Sequence, residues 1–480
     1  MKKTNYSEHF RMEVLEEICS MFFNGNIDKE INHLPFNIIP KGSDSHFRCC
    51  VYKERAILKL RTLAAFGYSV NEIDEALPLT DYLLPETEKK YKTNNKLLTV
   101  LESACSACVR SMFMVSEICQ GCLSRKCIRA CSFNAISIGE NRRAVIDVDK
   151  CKNCGKCMPE CPYNAILKIV VPCENACPVD AIKKDNKGRA NIDHSLCISC
   201  GKCISACPFG AIMERRQILD VLKKLNSKKL AALVAPSIAG QFGAPVEKII
   251  TGLKELGFEY VYEVAAGADI TAKVEAAEFE EKVVKNKQKF MTTSCCHAYV
   301  RLVKKHMPEL KPFISDTFTP LHYTAKIAKQ EFPDCLTVFI SPCLSKRKEA
   351  QEDEFVDYVI TFQELKAMLS AKNIDLNECK PAKILKQPTK YARLFGVRGG
   401  VVDTVKSYAK TDPDLMKPEL ITDLDKKNIL KLSVYAKNEN CQSNLIEVMA
   451  CKGGCIGGCG TVAPVAQADQ DMKKYSQVDK

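Results

Sequence analysis

Sixteen cysteines fall between residues 103 and 213 of this 480-residue chain, a density that no hydrophobic core uses. Disulfides staple small secreted domains that cannot bury a core. This chain is long enough to bury a large one, and its N-terminus, MKKTNYSEHF, lacks the apolar core of a secretion signal. Its 28 cysteines therefore point to metal rather than to cross-links. No run approaches the ~18 apolar residues of a membrane span. The expected location is the cytoplasm, with no membrane partner.

The spacing of these cysteines is regular. Cys151, Cys154, Cys157 and Cys161, followed by Pro162, read C-x2-C-x2-C-x3-C-P, and Cys197, Cys200, Cys203 and Cys207 with Pro208 repeat it. The surrounding sequence repeats as well: residues 134–166 align with residues 180–212. Each unit reads as a short hairpin, a cysteine loop and a proline-terminated turn. It resembles a bacterial ferredoxin module, present twice. In such a loop three thiolates wrap one 4Fe–4S cube and the fourth leaves for a neighbouring cube. Structural zinc sites do not call for a proline after the fourth cysteine.

A departing fourth ligand needs a partner motif. Cys119, Cys122, Cys127 and Cys131 form a stretched copy, C-x2-C-x4-C-x3-C. Exchange of fourth ligands gives one cube from Cys119, Cys122, Cys127 and Cys161, and a second from Cys151, Cys154, Cys157 and Cys131. Upstream of the second module only Cys173-x3-Cys177-Pro178 remains. Cys177 can complete a cube with Cys197, Cys200 and Cys203. Cys173 and Cys207 then require Cys105 and Cys108, the one spare pair nearby. The sixteen cysteines divide into four cubes with none left over.

The expected fold class is multidomain α+β. Residues 1–100 read as a mostly helical region of unassigned role, and the polar run 85–96 as a linker. Residues 101–215 read as two tandem ferredoxin-like electron-transfer modules. Residues 225–465 read as an α/β two-lobed catalytic domain, from apolar runs such as LAALVAP, YVYEVA, LTVFISPC, DYVITF and LKLSVYA. Residues 466–480 read as a polar tail. The net charge of +12 admits acidic partners, but no nucleic-acid motif accompanies it, so no nucleic acid is expected.

Beyond residue 290 three separated motifs carry the cysteines: TSCCHAY (293–299), SPCLSKRKE (341–349) and EVMACKGGCIGGCG (447–460). Cysteines so far apart share a metal only when loops at strand ends gather them. LTVFI runs directly into SPC, which suits that placement. Together the three motifs resemble the signatures of FeFe (iron-only) hydrogenases, in order and separation, and the departures below resemble the branch called group B.

That resemblance implies reversible formation of H2 from protons and electrons at an H-cluster. This is a 4Fe–4S cube bridged to a two-iron centre carrying CO, cyanide and azadithiolate. By matching positions, Cys296, Cys343, Cys451 and Cys455 bind the cube, and Cys455 bridges to the two irons. Cys295 stays free as a proton carrier, Lys346 donates to a cyanide, Glu349 completes the motif and Met449 packs against the two-iron unit. Glu275 and Glu278, three apart on one helix face, carry protons, with Thr319 in the place of the family's hydroxyl residue. A thiol pKa near ~8.5 suits such a relay. The implied partners are ferredoxin or a similar acidic carrier, H2, protons and hydrogenase maturation proteins.

The family's TSCCP has His297 in place of proline, its MPC has Ser341, and its GGGQP ending reads GGCGTVAP. Cys459 is extra. Cys19, Cys49, Cys50, Cys335, Cys379 and Cys441 lack partners at metal spacing and read as structural. Two other readings keep the cube ligands: an iron–sulfur assembly scaffold and a slow H2 sensor.

Overall fold

The computed structural model describes residues 5–43, 48–83, 96–108, 112–225, 227–410, 412–437 and 441–477. The expected linker 85–96 lies outside them, except for Lys96. Helix Tyr6–Phe23 begins at Asn5, whose side chain accepts from the Ser7 N–H at 3.2 Å, satisfying one of the donors a helix start leaves open. Its apolar side chains Val14, Leu15 and Ile18 are buried in one core with helix Val51–Ala65, the second cysteine module and the first sheet of the C-terminal half.

Both modules contain the expected hairpins, Ile136–Ile138 with Ala144–Ile146 and Ile182–Lys184 with Ala190–Ile192. The chain turns at the third residue after each fourth cysteine. Asn134, Asn164, Asp180 and Gly210 all take the left-handed conformation there, at φ between 50° and 57°. Asn and Asp tolerate that region better than other side chains, and glycine is free in it.

The C-terminal half holds two parallel sheets. The first runs Tyr260–Glu263, Leu230–Val234, Leu336–Ile340, Tyr358–Ile360 in spatial order, and the second Met291–Thr292, Leu445–Met449, Pro418–Thr422. Leu230–Val234 and Leu445–Met449 are buried along their whole length, as strands covered on both faces must be. Two expectations fail here. LKLSVYA lies within helix Lys426–Lys437, where Ile429, Leu432 and Ala436 share one face against the core at helical spacing. The expected polar tail contains helix Val465–Ser476, which buries Ala468 and Met472 on one side and exposes its charges on the other.

A buried ionic cluster ties the second module to the first sheet. Arg347 reaches Glu364 at 2.6 Å and Glu214 at 3.2 Å, and Arg216 reaches Glu214 at 2.7 Å. All four side chains are at most 4 % exposed. Removing one partner of such a cluster leaves an uncompensated charge away from water. Arg347→Met is expected to cost about 3–5 kcal/mol, read as a lower thermal unfolding midpoint. An unchanged midpoint would contradict that account.

Candidate metal centre

The three cysteine motifs follow strands Met291–Thr292, Leu336–Ile340 and Leu445–Met449 directly, at their C-terminal ends. There, loops from two parallel sheets face one another. The Cys451 thiol lies among those of Cys343, Cys296 and Cys455, which assembles the four expected ring cysteines. The loop can close this tightly because Gly454 sits at φ +99°, where a Cβ would fall 2.7 Å from the Gly396 carbonyl oxygen. A Cβ on Gly458 would likewise come within 2.5 Å of the Pro342 oxygen.

Beside this ring is a largely apolar pocket with about 610 Å³ of empty space, bordered by Cys295, Cys296, Cys343, Cys455, Lys346 and Met449. Cys455 is an exposed residue deep in the protein because its open side faces this pocket. Burial pushes the Cys343 thiol up to about 11 and that of Cys455 up to about 12, with neighbouring thiols adding to the effect. A bare thiolate is thus strongly disfavoured here. Iron in place of the proton removes that penalty, since a coordinating thiol is deprotonated outright. The donor set and the apolar, roomy pocket fit a cube with an attached metal unit.

Lys346 is held at the pocket wall by Glu349, at 2.6 and 2.9 Å. Burial presses against its charge, but Glu349 more than compensates and its pKa is raised. It stays an ammonium donor. His297, at 7 % exposure, is pushed down to about 4 by burial despite Glu349 nearby, so it is neutral around pH 7.

Cys295 borders the pocket outside the ring, next to Glu275 and Cys455. Burial drives its pKa well above the ordinary thiol value, so it rests as a protonated thiol rather than near the ~8.5 of a free cysteine. Glu275 accepts from the Ser294 N–H at 3.2 Å and is pushed up to about 8 by burial. Its second oxygen has no partner among the described residues. Ser315 lies against Glu275 and donates to Glu278 at 2.5 Å. Lys282 closes on Glu278 at 2.5 Å and on Asp316 at 2.7 Å. Asp316 is 85 % exposed, so this file of groups ends in solvent.

The expected place of Thr319 is corrected by this geometry. Its hydroxyl donates to Glu349 at 2.5 Å, on the Lys346 side of the pocket. Ser315 occupies the position between the two glutamates. Sequence reasoning also missed Lys282, although its spacing from Glu278 is the i,i+4 pair of a helix face. Ser237 borders the pocket with a buried hydroxyl that has no partner among the described residues. Its one signal was its position just after the strand-like LAALVAP run.

In the cysteine-rich half, thiols of neighbouring loops lie side by side. Cys127 lies with Cys161, Cys122 and Cys119; Cys157 with Cys151, Cys154 and Cys131; Cys203 with Cys200, Cys197 and Cys177. Cys173 lies with Cys207 and Cys108, and Cys105 accepts from the Ala190 N–H at 3.5 Å. After three of the four turns the alanine N–H donates to the fourth cysteine, at 3.3 Å on Cys131, 3.3 Å on Cys161 and 3.2 Å on Cys177. Such bonds favour the thiolate. Among the described residues no three His, Cys, Asp or Glu side chains converge as for a single metal ion; a cube instead spreads its four thiolates over four irons. Cys459 lies between the Cys200–Cys203 loop and the Cys343–Cys451 ring.

Comparison with known proteins agrees with this arrangement. Residues 228–459 match the family described as iron only hydrogenase large subunit, C-terminal domain. Residues 118–165 match the 4Fe-4S dicluster domain, and residues 168–218 the LdpA Fe-S cluster-binding domain. Iron hydrogenase 1 of Clostridium pasteurianum is 28 % identical over 52 % of this chain and 53 % of its own length. The NADP-reducing hydrogenase subunit HndD of Solidesulfovibrio fructosivorans is 28 % identical over 55 % of this chain and 56 % of its own. The cytosolic Fe-S cluster assembly factor narfl of Xenopus tropicalis is 23 % identical over 52 % of this chain and 65 % of its own. The chain thus spans about half the length of the first two relatives. No helix among the described residues is long and apolar enough to cross a membrane. With iron–sulfur modules set ahead of it, residues 228–459 form a hydrogenase-like domain of the iron-only hydrogenase family.

Proposed function

We propose that this protein interconverts H2 with protons and electrons, as an iron-only hydrogenase fed through 4Fe–4S cubes. The observation that carries the reading is Cys295, a thiol on the pocket outside the four-cysteine ring, backed by a file of proton-bearing groups leading to solvent. Cluster assembly, the function named for some relatives, requires the ring cysteines but gives no use to that file.

In this reading Cys296, Cys343, Cys451 and Cys455 would hold the cube, with Cys455 on the side that would face the two-iron unit. Lys346 would supply an ammonium donor to that unit and Met449 an apolar wall of its pocket. When bound, the two-iron unit supplies the place where protons and electrons combine or H2 is split. The protein's share is proton handling. Cys295 passes a proton between the pocket and Glu275, Ser315 links Glu275 to Glu278, and Lys282 with Asp316 opens the route to water. Electrons arrive through residues 101–215, where the four thiol groups hold four cubes, and residues 225–465 form the catalytic unit.

Infrared spectroscopy of protein matured without oxygen is expected to show iron-bound CO and cyanide bands. Iron should reach about 22 atoms per chain by ligand arithmetic, and about 20 without the maturation proteins. Absence of the bands after maturation would leave cluster assembly as the better reading. A mature content near ~14 would remove the cubes of the two less regular groups.

A further inference from the structure

The two cysteine modules are repeats with different surfaces. In the second, strand Ile212–Glu214 pairs with Leu98–Val100, setting Met213 opposite Thr99. Both are 3 % exposed. The N-terminal helices cover them: Arg61 reaches the Met213 sulfur at 3.7 Å, and the Val70 N–H donates to Thr99 at 3.1 Å. In the first module, strand Ile166–Lys168 pairs with Phe113–Val115, setting Leu167 opposite Met114. These two stand 45 % and 42 % exposed. The cysteine loops differ in the same way. Met158 is 40 % exposed, while its repeat mate Ile204 is 4 % exposed and its carbonyl accepts from Arg11.

One module therefore leaves open an apolar face that its twin buries. Clustered apolar side chains on a protein surface mark an interaction site. The same module carries two of the thiol groups, and its Cys154 is itself exposed. The rim is basic. Residues 118–168 carry nine Lys and Arg against four Asp and Glu, and Lys126, Arg129, Lys152, Lys156 and Lys168 are exposed. Two such faces repel each other, which disfavours a second copy of this chain as the occupant. An acidic partner is attracted.

We propose that this face of the first module is the docking site of a small acidic one-electron carrier protein, and so the point where electrons enter and leave the chain. The proposal rests on the reading of the thiol groups as cube sites. One electron passes from the reduced carrier to the nearer cube, leaving the carrier oxidised by one; no bond forms or breaks. The matching face of the second module is sealed by the N-terminal helices and cannot serve.

The test uses the full-length matured protein, a small acidic 4Fe–4S ferredoxin as the carrier, and methyl viologen as a dye that needs no docking. Met114→Ser with Leu167→Ser forms one variant and Lys168→Glu a second, none of them at a cluster cysteine. Both are expected to weaken ferredoxin binding about tenfold or more and to raise its KM in step. Viologen-linked turnover and iron content stay unchanged. Binding by the unaltered chain is expected to fall with added salt. Unchanged ferredoxin affinity in both variants would overturn the proposal, as would a dimer of this chain that the same substitutions dissociate. Ferredoxin bound through this face without viologen-linked turnover would support the docking site and sink the hydrogenase reading.

Discussion

Replacing Cys295 with serine is expected to lower H2 evolution by about 10²–10⁴-fold, the range general acid–base catalysis supplies, while the CO and cyanide bands and the iron content persist. Four ring thiolates fill the cube, so the fifth thiol has no iron to hold and its loss removes no cofactor. Its use is the proton. Burial keeps Cys295 protonated, and Glu275 lies beside it as the next carrier. Serine preserves size and a polar hydrogen but holds it far more tightly, so transfer slows. Cys455→Ser, by contrast, is expected to lose the two-iron unit and its infrared bands, since that thiol belongs to the ring and faces the pocket. Wild-type turnover in Cys295→Ser would refute the carrier role and favour the assembly reading.

What could be read in the sequence was whatever is local in the chain. The cysteine loops have fixed spacings, and the turn after each fourth cysteine is set by nearby residues, so both were legible in the sequence. The strand leading into Cys343 was legible for the same reason, an apolar run ending at a motif. Long-range contacts were not. Ser315 reaches the relay from a connection 37 residues beyond Glu278, and Thr319, four residues later, turns the other way onto Glu349. Nothing in their residue types separates one hydroxyl from the other. LKLSVYA misled because a short apolar run fits a strand or a helix equally, and only packing of its single buried leucine decided it. The helix at residues 465–476 was missed because its buried face is only a few residues wide amid charges.

The relay makes the second large prediction. Glu275→Gln is expected to slow H2 evolution about 10²-fold or more, because an amide of the same shape cannot release a proton. Ser315→Ala should slow it about tenfold or more, since it breaks the bridge between the two carboxyl groups. Thr319→Ala removes only a hydroxyl bond to Glu349, which Lys346 also grips, and should stay within about threefold of wild type. The pH dependence follows from the sign of the shift. Burial raises the Glu275 pKa to about 8, so the carboxyl holds its proton at neutral pH and can hand it inward. As pH rises through about 8 that proton is lost, so evolution falls while H2 oxidation, which needs an empty carboxylate to accept a proton, gains. Glu275→Gln should abolish that inflection in both directions. If Thr319→Ala proved as damaging as Ser315→Ala, or if the inflection near 8 survived in Glu275→Gln, protons would have to reach Cys295 by another route.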